Sequence, residues 1–138
     1  MKTIGLILGV LFSGLTATAQ ENEGVTITVI IENVLSDKGK IQGALHTAET
    51  FMKGQGIGNQ EMDAEKGEVT LTFPMVQKGS YALLLLHDTN ENNRIDFDSS
   101  GMPIENYATS GETTFGPPSF GNSKFEVADE DMEFRIRF

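Results

Sequence analysis

Three stretches of the chain alternate between hydrophobic and polar residues, as strands with one buried face do. They are VTITVIIE at residues 25–32, EVTLTF at 68–73 and MEFRIRF at 132–138. All three are rich in β-branched or aromatic residues, which fit a pleated, half-buried surface. The pattern therefore predicts three strands whose other face meets water.

Residues 81–86 (YALLLL) are hydrophobic at every position. This predicts a central strand covered on both faces, although a buried helix gives the same pattern over so few residues. GKIQGALH at 39–46 and KFEVAD at 124–129 follow glycine- and proline-containing turn sequences, which favours two further strands. Residues 47–54 are compatible with one or two helical turns, and 54–67 with a loop that contains a short edge strand.

Together these elements predict an all-β fold, an antiparallel Ig-like or transthyretin-like β-sandwich of about seven strands. No internal repeat, low-complexity tract or interior linker divides the chain. Residues 20–138 are therefore expected to form a single domain with its own core.

The first residues, MKTIGLILGVLFSGLTATAQ, have the pattern of a secretory signal peptide at residues 1–19. Lys2 precedes a hydrophobic stretch, and an A-x-A sequence follows at Ala17 to Ala19. The stretch is shorter than the roughly 20 residues of a membrane-spanning helix, and no second candidate follows it. We therefore expect export to the periplasm or the cell exterior and no transmembrane segment in the mature chain.

The composition narrows the possible partners. The formal net charge is −10 and the basic residues are scattered, so nucleic acid and anionic membrane surfaces are poor partners. The chain has no cysteine, so an exported domain of this kind cannot be held by disulfides. Its stability must come from packing, with a bound metal as a further source.

The main candidate for chemistry is the loop HDTNENNRIDFDSSGMP at residues 87–103. When the loop is numbered from Asp88, positions 1, 3, 5 and 9 carry oxygen-bearing side chains and position 8 is the hydrophobic Ile95. This spacing matches EF-hand-type calcium loops, in which alternate residues of a curled loop direct oxygens at one ion. The predicted Ca²⁺ ligands are Asp88, Asn90, Asn92, the carbonyl of Arg94, Asp96 and Asp98.

Two positions depart from the calcium-loop pattern. Position 6 is usually a glycine in the left-handed conformation, and here it is Asn93, which tolerates positive φ better than most residues. Position 12 is Ser99 instead of a bidentate glutamate, so the last carboxylate has to come from Asp98 or Glu105. The alternative interpretation is that the Asp and Asn side chains fold the loop through Asx turns without an ion. Because a strand enters the loop, an ion is expected to staple the fold and not to switch it.

Residues 73–110 (FPMVQKGSYALLLLHDTNENNRIDFDSSGMPIENYATS) and 116–127 (GPPSFGNSKFEV) resemble the bacterial family called domain of unknown function 2141, DUF2141. Family members carry G-x-Y-A before an apolar strand, then H-D-x-N-x-N-G-x-x-D, G-x-P-x-E-x-Y and a late G-P-P-S-F. The residues that match are His87, Asp88, Asn90, Asn92, Asp96, Gly101, Pro103, Glu105, Tyr107, Pro117, Pro118, Ser119 and Phe120. Asn93 stands where the family usually has glycine. The resemblance implies the fold and export but no reaction, because the family has no established activity.

The loop is also similar to that of calcium-stapled, transthyretin-like domains in bacterial surface adhesins, in which the ion would rigidify a β-sandwich. We therefore expect an exported, non-enzymatic domain with a structural or binding role in the cell envelope, and an envelope protein or a glycan as partner. Two alternatives stay open: a hydrolase that uses His87 with a nearby acid, and a metal-free carrier of a small ligand or protein. A lone histidine at a strand end is more often a packing residue.

Three aromatic residues, Tyr107, Phe115 and Phe120, lie among glycine, proline and polar residues after the loop. We expect them to cover one end of the sandwich. If they are exposed, they could bind a peptide or a glycan instead.

Overall fold

The computed structural model describes residues 24–112 and 116–138, so the predicted signal peptide at 1–19 lies outside the described residues. The described chain contains eight strands and one short helix. They are β1 (Val25–Val34), β2 (Lys40–His46), β3 (Gly58–Asp63), β4 (Gly67–Val76), β5 (Gly79–Asp88), β6 (Tyr107–Thr109), α1 (Phe120–Ser123), β7 (Phe125–Val127) and β8 (Met132–Arg137). Within these ranges no helix is long and apolar enough to cross a membrane.

The strands form two sheets. The first has the order β4-β1-β8, and the second has the order β3-β2-β5-β6, with β7 also paired to β5. The predicted all-β sandwich is confirmed, with one difference in strand direction. β8 runs parallel to β1, with Ile27 opposite Met132 and Glu32 opposite Arg137. The alternating pattern could not reveal this, because side chains alternate with the same period in parallel and antiparallel strands.

The hydrophobic core lies between the two sheets. It includes inward-facing residues of β1 and β4 from one sheet and of β2 and β5 from the other: Ile27, Val29, Ile31, Leu71, Phe73, Ile41, Leu83 and Leu85. Fully burying each such side chain stabilises the fold by about 1.5–3 kcal/mol. Thr70 and Thr72, between the buried positions of β4, are exposed, so the predicted wet face is confirmed.

β5 is central, as its hydrophobic sequence predicts. It pairs with β2 on one side and with β6 and β7 on the other, and Ala82 on its outer face is fully buried. Residues 48–53 form consecutive turns, and Phe51 N donates to Thr47 O at 3.0 Å, which is the hydrogen bond of a single helical turn. These turns bring the Phe51 ring to 5.7 Å from His46 and 6.2 Å from Phe120, measured between ring centroids. The resulting cluster covers part of the outer face of the second sheet.

The expected edge strand between residues 54 and 67 is β3, whereas β6 and α1 were not predicted. β6 has only three residues, and it is a strand because Leu84 to Leu86 of β5 pair with it. α1 has four residues, and Ser119 caps it by accepting a hydrogen bond from Asn122 N. Both elements are too short to show a periodic pattern.

Candidate functional site

The polar loop begins at Asp88, the last residue of β5, whose side chain has no exposed surface. Its Oδ1 accepts a hydrogen bond from Asn92 N at 3.2 Å, and its Oδ2 accepts one from Asn93 N at 2.7 Å. A charged acceptor of this kind bonds a backbone N–H more strongly than a neutral one does. Asp88 therefore ties loop position 1 to positions 5 and 6 and holds the chain in a tight curl.

Two loop residues take the left-handed backbone conformation. Asn93 has φ 62°, so the conformation predicted for loop position 6 is confirmed. Glu91 has φ 56°, which the sequence did not indicate, because glutamate has no special tolerance for this region. Both residues lie between Asn90 and Asp96, whose side chains are in contact, so the tight backbone and this contact belong to the same short segment.

The side chains of Asn90, Asn92 and Asp96 meet at the centre of the loop. Asn90 Nδ2 donates to Asp96 Oδ2 at 2.6 Å, and Asn92 Nδ2 donates to Asp96 Oδ1 at 2.7 Å and to Oδ2 at 2.9 Å. These amide donors stabilise the charged carboxylate and lower the pKa of Asp96 below its ordinary value. The structure thus brings together positions 3, 5 and 9.

Glu105 is a buried carboxylate that joins the two ends of the loop from outside it. Its Oε2 accepts hydrogen bonds from Thr89 N at 2.7 Å and Thr89 Oγ1 at 3.2 Å, and its Oε1 accepts one from Asp96 N at 3.3 Å. The predicted ligand set does not include Glu105, although the sequence suggested it as a substitute for the missing glutamate of position 12. The sequence feature that pointed to Glu105 is its place in the G-x-P-x-E-x-Y segment.

Asp98, in contrast, lies in a neighbouring turn. Its Oδ1 accepts hydrogen bonds from Ser100 N, Ser100 Oγ and Met102 N at 2.9, 2.6 and 3.0 Å. These donors lower its pKa. Its carboxylate thus closes a hairpin in which Phe97 pairs with Pro103. None of these contacts links it to the centre of the loop.

Arg94 lies on the rim of the loop. Its backbone N–H donates to Asn92 Oδ1 at 3.2 Å, and its side-chain Nε lies 3.8 Å from Asp96 Oδ1. Its side chain is mostly exposed, so this ion pair contributes at most a small stabilisation.

The loop side chains carry carboxylate and amide oxygens, which are the ligand atoms that a hard cation such as Ca²⁺ prefers. Within residues 24–112 and 116–138, however, no group of three or more His, Cys, Asp or Glu side chains is arranged to hold a metal. Asp88 and Glu105 accept backbone hydrogen bonds, and the two asparagines direct N–H groups at Asp96. A half-turn of each amide exchanges its N–H groups for the carbonyl oxygen at the same place. Two amide oxygens would then lie beside the Asp96 carboxylate, but the hydrogen bonds that Asn90 Oδ1 accepts from Asn92 N and Asn92 Oδ1 accepts from Arg94 N would be lost.

His87 points to the opposite side of β5 from Asp88 and is almost fully buried. Its Nε2 lies 2.7 Å from the Lys38 carbonyl, which can only accept, so this nitrogen carries the proton. The ring stacks on Phe138 with 6.4 Å between centroids. Neither contact is with an acid or a nucleophile, and the side chain of Ser119 is the cap of α1. The hydrolase hypothesis therefore gains no support from the surroundings of His87.

Two of the three aromatic residues noted in the sequence lie within the described chain. Tyr107 and Phe120 are half-buried, and Phe120 packs against Phe51 in the cluster that covers the outer face of β5. Phe115 lies outside the described residues.

These features define a class of protein, a small all-β sandwich in which a central strand leads into an asparagine- and aspartate-rich loop. Over residues 29–135 the chain matches the model of the family described as an uncharacterized protein conserved in bacteria (DUF2141). The chain therefore belongs to this family, and the resemblance based on its loop and strand motifs is confirmed. Comparison with curated proteins and with solved structures gave no significant match.

Proposed function

We propose that this protein is an exported, non-enzymatic domain of the bacterial cell envelope whose loop binds Ca²⁺ as a structural staple. The ligands would be Asp88, Asn90, Asn92, the Arg94 carbonyl and Asp96. Glu105 would supply the carboxylate that loop position 12 lacks, and Asp98 would keep its place in the neighbouring hairpin.

The observation that carries this proposal is that the buried Asp88 and Glu105 bind the backbone of a loop in which the side chains of Asn90, Asn92 and Asp96 converge. Asp88, Asp96 and Glu105 belong to one hydrogen-bonded segment and bring carboxylates of like charge into it. The neighbouring basic group is the exposed guanidinium of Arg94. A divalent cation would neutralise this charge and replace the amide–carboxylate hydrogen bonds by coordination.

An ion at this place would fasten the end of β5 to the segment that precedes β6. Because it would bind the folded and not the unfolded chain, it would stabilise the fold by about 1.4 kcal/mol at ten times its Kd. A site with few carboxylates and several amide ligands belongs among the weak extracellular calcium modules, with Kd of about 10⁻⁴ to 10⁻³ M.

The test is a calorimetric calcium titration combined with thermal unfolding of the mature chain in millimolar calcium and in chelator. We expect calcium to raise Tm by several degrees and Asp96→Ala to abolish both the heat of binding and the rise in Tm. Glu133→Ala, on the exposed face of β8, removes one carboxylate elsewhere and should leave both effects unchanged. Equal Tm in calcium and in chelator, with no heat of binding, would overturn the metal proposal.

Export is tested separately, on the full chain produced in a bacterium. We expect mass spectrometry to find a product that begins at Gln20, recovered outside the cytoplasm. Ala19→Arg should block processing, because the cleavage site requires a small residue there. Accumulation of the wild-type chain in the cytoplasm with its first 19 residues intact would contradict export.

A further inference from the structure

A cleft of about 740 Å³ crosses the outer face of the five-stranded sheet, away from the hydrophobic core. Its floor is formed by outward-facing residues of β2 and β5, namely Ala44, Leu84 and Leu86, which lie side by side in the β-ladder. One wall is the turn at residues 54–56. The other wall is the polar loop at residues 93–95.

The rim of the cleft is lined by carboxamide groups. Gln42 Nε2 donates to Asn93 Oδ1 at 2.8 Å, and Asn59 Nδ2 donates to the Gly56 carbonyl at 3.1 Å. These bonds fix the orientation of the amides and use one end of each. The side-chain oxygens of Gln42 and Asn59 and the side-chain N–H groups of Asn93 remain as acceptors and donors for a ligand.

The charged residues of the lining already have partners. Glu61 lies 3.0 Å from Lys40 Nζ, and Arg94 lies 3.8 Å from Asp96. A cationic ligand would compete with Lys40 for Glu61, and an anionic ligand would approach a protein of net charge −10. The cleft is therefore suited to a neutral ligand.

We infer that this cleft is a binding site for a neutral saccharide. Sugar hydroxyl groups donate and accept hydrogen bonds, as the amide rim does, and the C–H face of a sugar ring can pack on an aliphatic floor of alanine and leucine. The inference goes beyond the proposed calcium staple and gives the domain a ligand class. The saccharide proposal does not require a bound metal, because protein atoms alone form the cleft.

The loop links this site to the proposed calcium site. Asn93 lines the cleft with its side chain, and its backbone N–H donates to Asp88 at 2.7 Å. An ion that orders the loop would also order this wall of the cleft. Calcium should therefore increase saccharide affinity, and saccharide should increase calcium affinity by the same factor.

The primary experiment is an NMR titration of the ¹⁵N-labelled mature chain with neutral oligosaccharides built from glucose, mannose or N-acetylglucosamine. A uronic acid oligomer serves as the charged comparator. We expect weak, saturable binding of at least one neutral oligosaccharide, with the largest shifts at Gln42, Ala44, Asn59 and Asn93. The proposal is overturned by the absence of shifts at tens of millimolar, by shifts centred elsewhere, or by preferential binding of the uronic acid oligomer.

Variants then separate the cleft from the metal site. Gln42→Ala removes a rim amide and should weaken saccharide binding about fivefold, the expected effect of one neutral hydrogen bond, with calcium binding retained. Asn93→Gly should do the same, since glycine keeps the backbone N–H and the left-handed conformation. Thr70→Ala, on the exposed face of the other sheet, is the matched control and should change neither.

Asp96→Ala completes the comparison, because it should abolish calcium binding while saccharide binding persists at its calcium-free strength. If the wild type binds no calcium, the metal proposal fails and the cleft proposal stands. Unchanged saccharide affinity in both Gln42→Ala and Asn93→Gly would defeat the cleft proposal alone.

Discussion

Asp88 shows how one side chain can fix the shape of a whole loop. It ends a buried strand, has no exposed surface, and accepts two backbone hydrogen bonds from residues four and five positions later. The sequence indicated its importance through the spacing of the oxygen-bearing residues. Spacing could not show that both carboxylate oxygens of Asp88 accept backbone hydrogen bonds of the loop.

Replacing Asp88 by asparagine keeps the shape but puts an N–H group where one carboxylate oxygen accepted a hydrogen bond. Hydrogen bonds to charged groups contribute about 1.5–3 kcal/mol, so we expect Asp88→Asn to lower the free energy of unfolding in chelator by about 2–3 kcal/mol. Asp98→Asn, in an exposed turn, should lower the free energy of unfolding clearly less. Urea unfolding measures both, and equal losses would show that Asp88 does not hold the loop as described.

His46 gives the molecule a pH dependence in the acidic range. Burial disfavours the imidazolium and lowers the pKa of His46 below its ordinary value of about 6.5. The unfolded chain therefore takes up a proton at a higher pH than the folded chain does, and stability falls as the pH drops from about 6.5 toward the folded pKa. Tm measured between pH 7.5 and pH 5 should decrease in the wild type and change less in His46→Gln. Identical pH profiles would contradict this assignment.

At the scale of the elements, the strands with a long alternating or fully hydrophobic sequence could be predicted from the sequence. β6 and α1 could not, because each is fixed by its neighbours and has no periodicity of its own. In the site, the left-handed Asn93 was predictable from the calcium-loop pattern. The bridging role of Glu105 and the separate turn of Asp98 depend on how the chain returns after Gly101, which spacing does not encode.

The turn between β1 and β2 approaches the site so closely that it requires a glycine. Gly39 has φ 69°, and a Cβ there would lie 2.1 Å from the Asp88 carbonyl oxygen. Gly101 also has positive φ, 83°, but opens onto free space. Gly101→Ala should cost about 1–2 kcal/mol from backbone strain alone, whereas Gly39→Ala should cost about 3 kcal/mol or more. Chemical denaturation of both variants checks this, and similar losses would disprove the close contact.

The whole molecule carries a net charge of −10 in a chain without cysteine. Mutual repulsion of these charges destabilises the compact state, and salt screens it. Raising sodium chloride should therefore raise Tm modestly and equally in the wild type and in Asp96→Ala. Calcium at matched ionic strength should add a further rise in the wild type only. A calcium effect of equal size in both proteins would identify it as screening and not as binding.

The parallel pairing of β8 with β1 has a consequence for the order of folding. Thr26 and Asp131, which are hydrogen-bonded beside this pair, are 105 residues apart in sequence. During synthesis the edge of β1 that pairs with β8 can be covered only after nearly all of the following chain has been made. Such distant pairings form slowly. In the export that we propose, this edge of β1 would stay uncovered until nearly the whole chain has been made, and an open chain is the form in which a polypeptide threads through a narrow translocation channel.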